Sequence, residues 1–342
     1  VGSSSAARSD EACTCVVVDG PHDCIANSVR ATSAAPARVS RIIMAFVTLP
    51  PLLKFTLEDL LAMGAHHPIL DTWPLSRQHF YRSEPSCGTL GEMLAVSILG
   101  CSGSYAAAGG ACTGYLMQSP RANVWLDAGP GTLANLQTIC RLADIDAIVL
   151  THAHPDHWLE LPVVANAIQW YEPRDPVPVY SNAHMAQRAR DLIGPDIDGP
   201  FTWHIVDSTD QITIGDQRWS FADTDHYVPT LATRTDVGRE TIVFSSDTGP
   251  SFSLASLAQP DRPIDLAIIE STFLERSEHP GALHLSADEA GQMASQGNVL
   301  RVLLTHQAPL EDRAAHLAKA SANFSGQIVL AEVGQQYPAT VT

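Results

Sequence analysis

Basic side chains are scarce in this 342-residue sequence: 20 Lys and Arg stand against 37 Asp and Glu, a formal charge of −17. Such a surface repels polyphosphate unless a basic patch or a bound metal offsets it, so long nucleic acids are disfavoured as partners. Long hydrophobic runs are missing too. The longest near the N-terminus, residues 42–55, is interrupted by Pro50-Pro51 and Lys54. It is too short to span a bilayer and begins too late for an ordinary signal peptide. The seven cysteines (Cys13, Cys15, Cys24, Cys87, Cys101, Cys112 and Cys140) lack the paired spacing of a disulfide framework or a zinc knuckle, which suits a reducing cytoplasm. No repeat indicates a solenoid. What is present is 45% hydrophobic residues, enough for the core of a soluble protein.

Texture divides the chain. Residues 1–92 are Ser/Ala-rich at the start, with scattered Cys and Pro and little periodicity except around Phe55 to Met63, a candidate short helix. They read as a poorly structured extension that folding and catalysis can dispense with. From Met93 the pattern changes: an apolar, β-rich run at 94–99 closes in the small-residue turn Gly100-Cys101-Ser102-Gly103, so residues 93–342 read as the folded domain. The extension carries nine acidic and seven basic residues, leaving 28 and 13 for the domain, which therefore holds the acidity.

Within that domain one pattern recurs: an apolar strand-like run ends in a polar residue and a tight turn. Runs end this way at Asp127, at Thr151-His152, ahead of Asp247, at Glu270, and at Thr305-His306. Five strands thus deliver polar residues to one edge. Helical stretches at 132–142, 185–192, 286–295 and 312–320 lie between or after them, and Ser286 with Glu289 forms a capping box. Sheets covered by helices are the natural layering.

The sharpest feature is Thr151-His152-Ala153-His154-Pro155-Asp156-His157, three imidazoles and a carboxylate directly after a buried strand. Residues two apart share a face near a strand end, so His152 and His154 can project together, and Pro155 can turn Asp156 and His157 toward a neighbouring position. One loop can feed two metals. Nitrogen and oxygen donors without cysteine suit zinc, manganese or iron and argue against a purely structural zinc. His226, Asp247 and His306 are the further candidate ligands. His184, His204, His279 and His316, with His66, His67 and His79, read as surface or packed histidines. Trp158 and Trp170 read as core rather than pocket lining.

These motifs resemble the metallo-β-lactamase superfamily, in the branch of ribonuclease Z and the atypical class II cyclic-nucleotide phosphodiesterases. The likeness covers residues 94–340 and rests on Leu99 to Ser104, Thr151 to His157, Ser246-Asp247-Thr248-Gly249-Pro250, Leu283-His284-Leu285-Ser286 with Glu289-Ala290-Gly291, and Leu304-Thr305-His306. It implies an α/β fold, an αββα sandwich of two mixed β-sheets covered by helices. It also implies that His152, His154 and His226 hold one metal, that Asp156, His157 and His306 hold a second, and that Asp247 bridges them. Asp247 where β-lactamases use cysteine argues against β-lactam hydrolysis, and His154 where flavodiiron proteins carry glutamate argues against redox iron. His284 matches the histidine that this branch sets beside the leaving group, with Glu270 as a candidate orienting partner. Two departures, Ser245-Ser246 before the aspartate and Leu231-Ala232-Thr233-Arg234 after the third histidine, are expected to reshape the substrate pocket.

The implied reaction is hydrolysis of a small, cyclic-nucleotide-like phosphodiester, in which two divalent cations about 3.5–4 Å apart hold a bridging hydroxide. Asp156 would accept its proton and His284 would protonate the departing oxygen. Ribonuclease Z-like tRNA processing is the runner-up: only 20 residues separate His226 from Asp247, leaving no room for the arm implied to grip tRNA. Lactone or thioester hydrolysis would use the same metals. A small-molecule phosphodiester substrate, a cytoplasmic setting with no membrane, and a homodimer as the candidate assembly complete the expectation.

Overall fold

The computed structural model describes residues 15–19, 23–27, 93–259 and 261–341. The chain divides into two units, residues 1–79 and residues 80–342. In the first, an antiparallel hairpin is described, β1 (Cys15–Asp19) with β2 (Asp23–Asn27). The candidate helix around Phe55, the histidines at 66, 67 and 79, and Cys13 and Cys87 lie outside the described residues.

The second unit is built on two seven-stranded sheets. One begins as an antiparallel meander of β3 (Ala95–Gly100), β4 (Gly114–Ser119) and β5 (Ala122–Leu126). It continues in parallel through β6 (Ala147–Leu150), β7 (Val177–Ser181) and β8 (Phe201–Ile205). The other repeats that plan. Strands β9 (Gln211–Ile214), β10 (Gln217–Asp223), β11 (Leu231–Val237) and β12 (Glu240–Phe244) are antiparallel. Strands β13 (Leu266–Glu270), β14 (Arg301–Thr305) and β15 (Gln327–Leu330) then run parallel to β12. The last strand, β16 (Gln336–Pro338), returns to the edge of the first sheet beside β3. Both sheets are therefore mixed, with hairpins on one side and crossovers on the other.

Apolar residues on the facing sides of the sheets form the central core, in which Tyr115 meets Phe244 edge-on at 5.0 Å. Helices cover the outer faces because their apolar positions recur at three- and four-residue steps. In α2 (Leu161–Trp170), which follows the short α1 (Thr132–Leu136), these are Leu161, Val164, Ala165 and Ile168. Next in the chain, α3 (Ala183–Ile193) adds Met185 and Ala189 to the same layer. On the second sheet, α4 (Ala287–Gln296) contributes Ala290, Met293 and Ala294, and α5 (Arg313–Ser321) contributes Ala320. The αββα sandwich follows from these four layers. Among the described residues, no helix is long and apolar enough to cross a membrane.

Several sequence expectations need adjustment. The helix expected over 132–142 stops at Leu136, where the hydroxyl of Thr138 donates to the carbonyl of Asn135 and Asn135 donates to the carbonyl of Leu99. Trp158 is buried as expected, whereas Trp170 is 69% exposed. Cys101 and Cys112 are free thiols, but Cys140 is disulfide-bonded, so the reading of unpaired, reduced cysteines fails there. Leu231 to Arg234 do not shape a pocket: they belong to β11, and Arg234 is 1% exposed. Its guanidinium donates to both carboxylate oxygens of Asp236 at 2.9–3.1 Å, to Thr241 Oγ1 and to the carbonyl of Leu257. It ties strand edges together.

Arg234→Met should therefore destabilise the fold. Losing one partner of a buried ion pair costs roughly 3–5 kcal/mol, and the low end is expected because Arg262 also approaches Asp236, at 3.5 Å. The urea midpoint should fall accordingly; an unchanged midpoint would mean that the network contributes nothing net.

Candidate metal centre

The polar residues that end β5, β6, β12, β13 and β14 gather at the carboxyl ends of these strands, where open α/β sheets place their sites. Asp127 follows β5 and is fully buried. One of its oxygens accepts from Thr151 N, and the other accepts from the Thr151 hydroxyl at 2.8 Å and from His157 Nδ1 at 2.7 Å. The Thr151 hydroxyl, committed as a donor to Asp127, accepts in turn from His152 Nδ1 at 3.0 Å. One carboxylate thus fixes both ends of the 151–157 loop and turns the Nε2 lone pairs of His152 and His157 inward. Between them the chain closes a single 3-10 turn, Pro155–His157, started by the proline.

A second buried carboxylate repeats the arrangement on the other sheet. Glu270, at the end of β13, accepts from the backbone N–H groups of Thr248 and Thr272 and from the Thr272 hydroxyl. Thr272 Oγ1 accepts from His306 Nδ1 at 2.9 Å, and His284 Nδ1 donates to the other Glu270 oxygen at 3.0 Å. His226 Nδ1 donates to the carbonyl of Leu283 at 2.9 Å.

The outward-facing atoms converge. His152, His154, His226 and Asp247 each offer one atom within 4.8 Å of the others, and so do Asp156, His157 and His306. Asp247 lies between the groups: Oδ2 is 3.5 Å from His152 Nε2 and 3.3 Å from His157 Nε2, while Oδ1 is 3.2 Å from His306 Nε2. His226 Nε2 sits 3.0 Å from His154 Nδ1, and Asp156 Oδ2 sits 3.3 Å from His306 Nε2. All seven expected ligands, and His284 beside them, are brought together. A cleft of about 420 Å³ near Asp225 and Ser251 is lined by none of them.

The donors fit divalent cations better than they fit one another. Around a tetrahedral cation with ligands at about 2.0–2.1 Å, neighbouring ligand atoms stand about 3.3 Å apart, which is the spacing observed here. His152 Nε2 and Asp247 Oδ1 are buried and make no hydrogen bond, a costly arrangement unless a cation sits between them. Burial pushes His152 well below the usual imidazole range, leaving that nitrogen unprotonated. Burial acts the same way on His157, but Asp247, Asp156 and Asp127 outweigh it and hold His157 well above. The carboxylates demand positive charge at this point. His284, where burial is outweighed by the Glu270 carboxylate, is raised to about 9.

Backbone strain concentrates here. Of the five described non-glycine residues with positive φ, Ser104, Asp127, Ser246 and His306 lie in the loops of this centre. Ser104 N donates to Asp156 Oδ2 at 2.7 Å. A side chain on Gly103 would come within 2.4 Å of the His306 carbonyl, which explains the small-residue turn.

Sequence reasoning missed three residues. Asp127 was visible only as one more strand-ending polar residue, and Thr272 carried no signal. Arg276 likewise gave none, yet its guanidinium donates to the carbonyls of His279, Ala282 and His284 and to Glu289, bracing the His284 segment. Ser245 and Ser246, expected to reshape the pocket, are fully buried instead. Ser245 Oγ accepts from Glu270 N and donates to the carbonyl of Ser246, joining β12 to β13.

The family model for the beta-lactamase superfamily domain matches residues 122–307, a span that holds every one of these eight side chains. The chain belongs to that family. Protein Rv1339 of Mycobacterium tuberculosis is 30% identical over 246 residues, covering 68% of this chain and 88% of that one. The probable metallo-hydrolase YhfI of Bacillus subtilis is 27% identical over 70% of this chain and 97% of its own. Its crystal structure superposes with a TM-score of 0.65 over 72% of this chain and 99% of that one, at 25% identity. Ribonuclease Z of Nocardia farcinica is 26% identical over 64% of this chain and 89% of its own.

Asp127→Asn should keep the side-chain shape while disturbing both tautomers that Asp127 sets. Loss of such an orienting partner typically costs about 10–100-fold in metal affinity. Zinc affinity measured by chelator competition should fall by that factor; unchanged affinity would remove Asp127 from the centre.

Proposed function

We propose that this member of the beta-lactamase superfamily is a binuclear metal-dependent hydrolase of small, cyclic-nucleotide-like phosphodiesters. His152, His154 and His226 would hold one cation and Asp156, His157 and His306 the other, with Asp247 available to both. Zinc suits this nitrogen and oxygen donor set, with manganese and iron as alternatives. All seven of these residues fall within residues 93–342. Two such cations supply a nucleophile at neutral pH and neutralise the charge that develops in an in-line displacement.

The observation that carries the phosphodiester reading is the His284–Glu270 pair. With Nδ1 committed to Glu270 and the imidazole charged, Nε2–H is the group free to protonate a departing alkoxide, which an ester of phosphate with a sugar oxygen needs. Asp156, kept ionised because His157 and His306 outweigh its burial, accepts the proton of the attacking water. The name of the Nocardia relative favours tRNA processing as a second reading. Against it, the residues between His226 and Asp247 are largely the strands β11 and β12, joined tightly at Gly238, and they form no arm. A single small anion also meets the charge of −17 at less cost than a polyanion. Turnover of bis-p-nitrophenyl phosphate against a lactone and a thioester, each with metal supplied, separates this reading from carbonyl hydrolysis; faster lactone or thioester turnover would overturn it.

Elemental analysis after zinc loading and removal of weakly held metal should return two tightly held equivalents, both lost with a strong chelator together with activity. Saturation with one ion bound away from His157 and His306 would refute the binuclear assignment.

His284→Ala should leave the metal content intact and slow cleavage of unactivated phosphodiesters by about 10²–10⁴-fold. The loss should shrink with a p-nitrophenyl leaving group, which departs without protonation. Equal losses on both substrates would contradict the leaving-group role.

A further inference from the structure

A second convergence of ligand-type side chains lies outside the proposed centre and shares no residue with it. Glu278 and His279 end the 3-10 turn Arg276–Glu278, and Glu311 lies in the loop between β14 and α5. Each offers one donor atom, and the three atoms lie within 4.8 Å of one another. Acidic groups alone would mean little, but a buried neighbour points the same way. His316, on α5, is fully buried, its Nδ1 is hydrogen-bonded to Ser271 Oγ at 2.7 Å, and its Nε2 makes no hydrogen bond. That nitrogen faces Glu311 Oε2 at 3.7 Å, too far for a hydrogen bond.

We propose that Glu278, His279 and Glu311, backed by His316, form a separate site for a divalent transition-metal cation of the zinc or manganese class. Two carboxylates with imidazole suit those ions, whereas calcium takes six to eight oxygens. The His279 ring is already held, stacked on Phe273 at 3.8 Å with an interplanar angle of 18°. With His316 Nδ1 occupied by Ser271, the buried Nε2 is left without a hydrogen-bond partner beside a carboxylate oxygen, and in the tautomer that donates Nδ1–H to Ser271 a shared cation would satisfy both. Nearby cations are committed elsewhere: Lys319 Nζ pairs with Glu275 at 2.5 Å and Arg276 with Glu289. Neither Glu278 nor Glu311 is paired with Lys or Arg among the described residues.

The position gives such an ion a consequence. Glu278 and His279 belong to the segment that carries His284, and Glu311 belongs to the loop that follows His306. Phe273, on which His279 stacks, also meets the His284 ring edge-on at 5.9 Å. A cation joining the two loops would brace the leaving-group histidine without touching the substrate.

The test is isothermal titration of zinc into the full-length protein whose tightest sites have first been filled with zinc. Wild type should show one further site, and His279→Ala and Glu311→Gln should each abolish it or weaken it at least tenfold, with melting temperature unchanged. Because no ligand is shared, the difference of one equivalent between wild type and variant stands whatever the metal count at the other centre. Absence of a further site in wild type up to millimolar zinc, or its persistence in both variants, would overturn the proposal.

Discussion

Two fully buried carboxylates organise the centre, one from each sheet. Asp127 and Glu270 each orient one imidazole directly and a second through a threonine hydroxyl: His157 and, through Thr151, His152; His284 and, through Thr272, His306. A buried carboxylate is costly unless its lone pairs are filled, and here backbone N–H groups, hydroxyls and imidazoles fill them. Those same bonds settle the tautomers. With each Nδ1–H engaged outward, the Nε2 atoms of His152, His157 and His306 are left facing Asp247 and Asp156, where nothing but a proton or a cation can reconcile them. The fold's two mixed sheets matter because each presents one such carboxylate at the end of a strand in its parallel half.

Much of this was legible in the sequence, and the reason is periodicity. An apolar run that stops at one polar residue and a turn marks the end of a buried strand, and β5, β6, β12, β13 and β14 all read that way. The 151–157 cluster is local, so its spacing alone announced a loop of converging ligand-type side chains. The capping box of Ser286 and Glu289 was equally local and is present. What could not be read is long-range: Thr272 bonding His306 across 34 positions, or Arg276 reaching three carbonyls of a loop it precedes. The helix α2 was overlooked, since its apolar stripe follows directly on the histidine cluster and carries a proline in its first turn.

Positions that depart from the family pattern misled for a related reason. Ser245, Ser246 and Arg234 are polar residues close in sequence to the site, and polarity near a site suggests contact with substrate. All three are buried, and Ser245 and Arg234 are hydrogen-bonded into the scaffold. Arg234 makes the point most sharply, since a guanidinium is expected in solvent unless its donors are matched, and the carboxylate of Asp236, with Thr241 and the carbonyl of Leu257, matches them. Nearness in sequence to a ligand says little about which side of the strand a residue occupies.

His284 stands apart from the other imidazoles in how it is held. Its ring is fixed by Glu270 and Thr272, its backbone carbonyl by Arg276, and the preceding residue by two neighbours: Leu283 O accepts from His226 Nδ1, and Leu283 N donates to the Tyr227 hydroxyl. The His226–Tyr227 pair therefore grips one residue of the His284 segment from both of its backbone groups. Since the other nitrogen of His226 faces His154 and Asp247, one imidazole connects the cation-seeking cluster to the segment that carries the charged histidine. Under the proposed assignment a shift of His226 toward an ion would pull on Leu283 through this hydrogen bond, which would couple loading of the centre to the placement of His284.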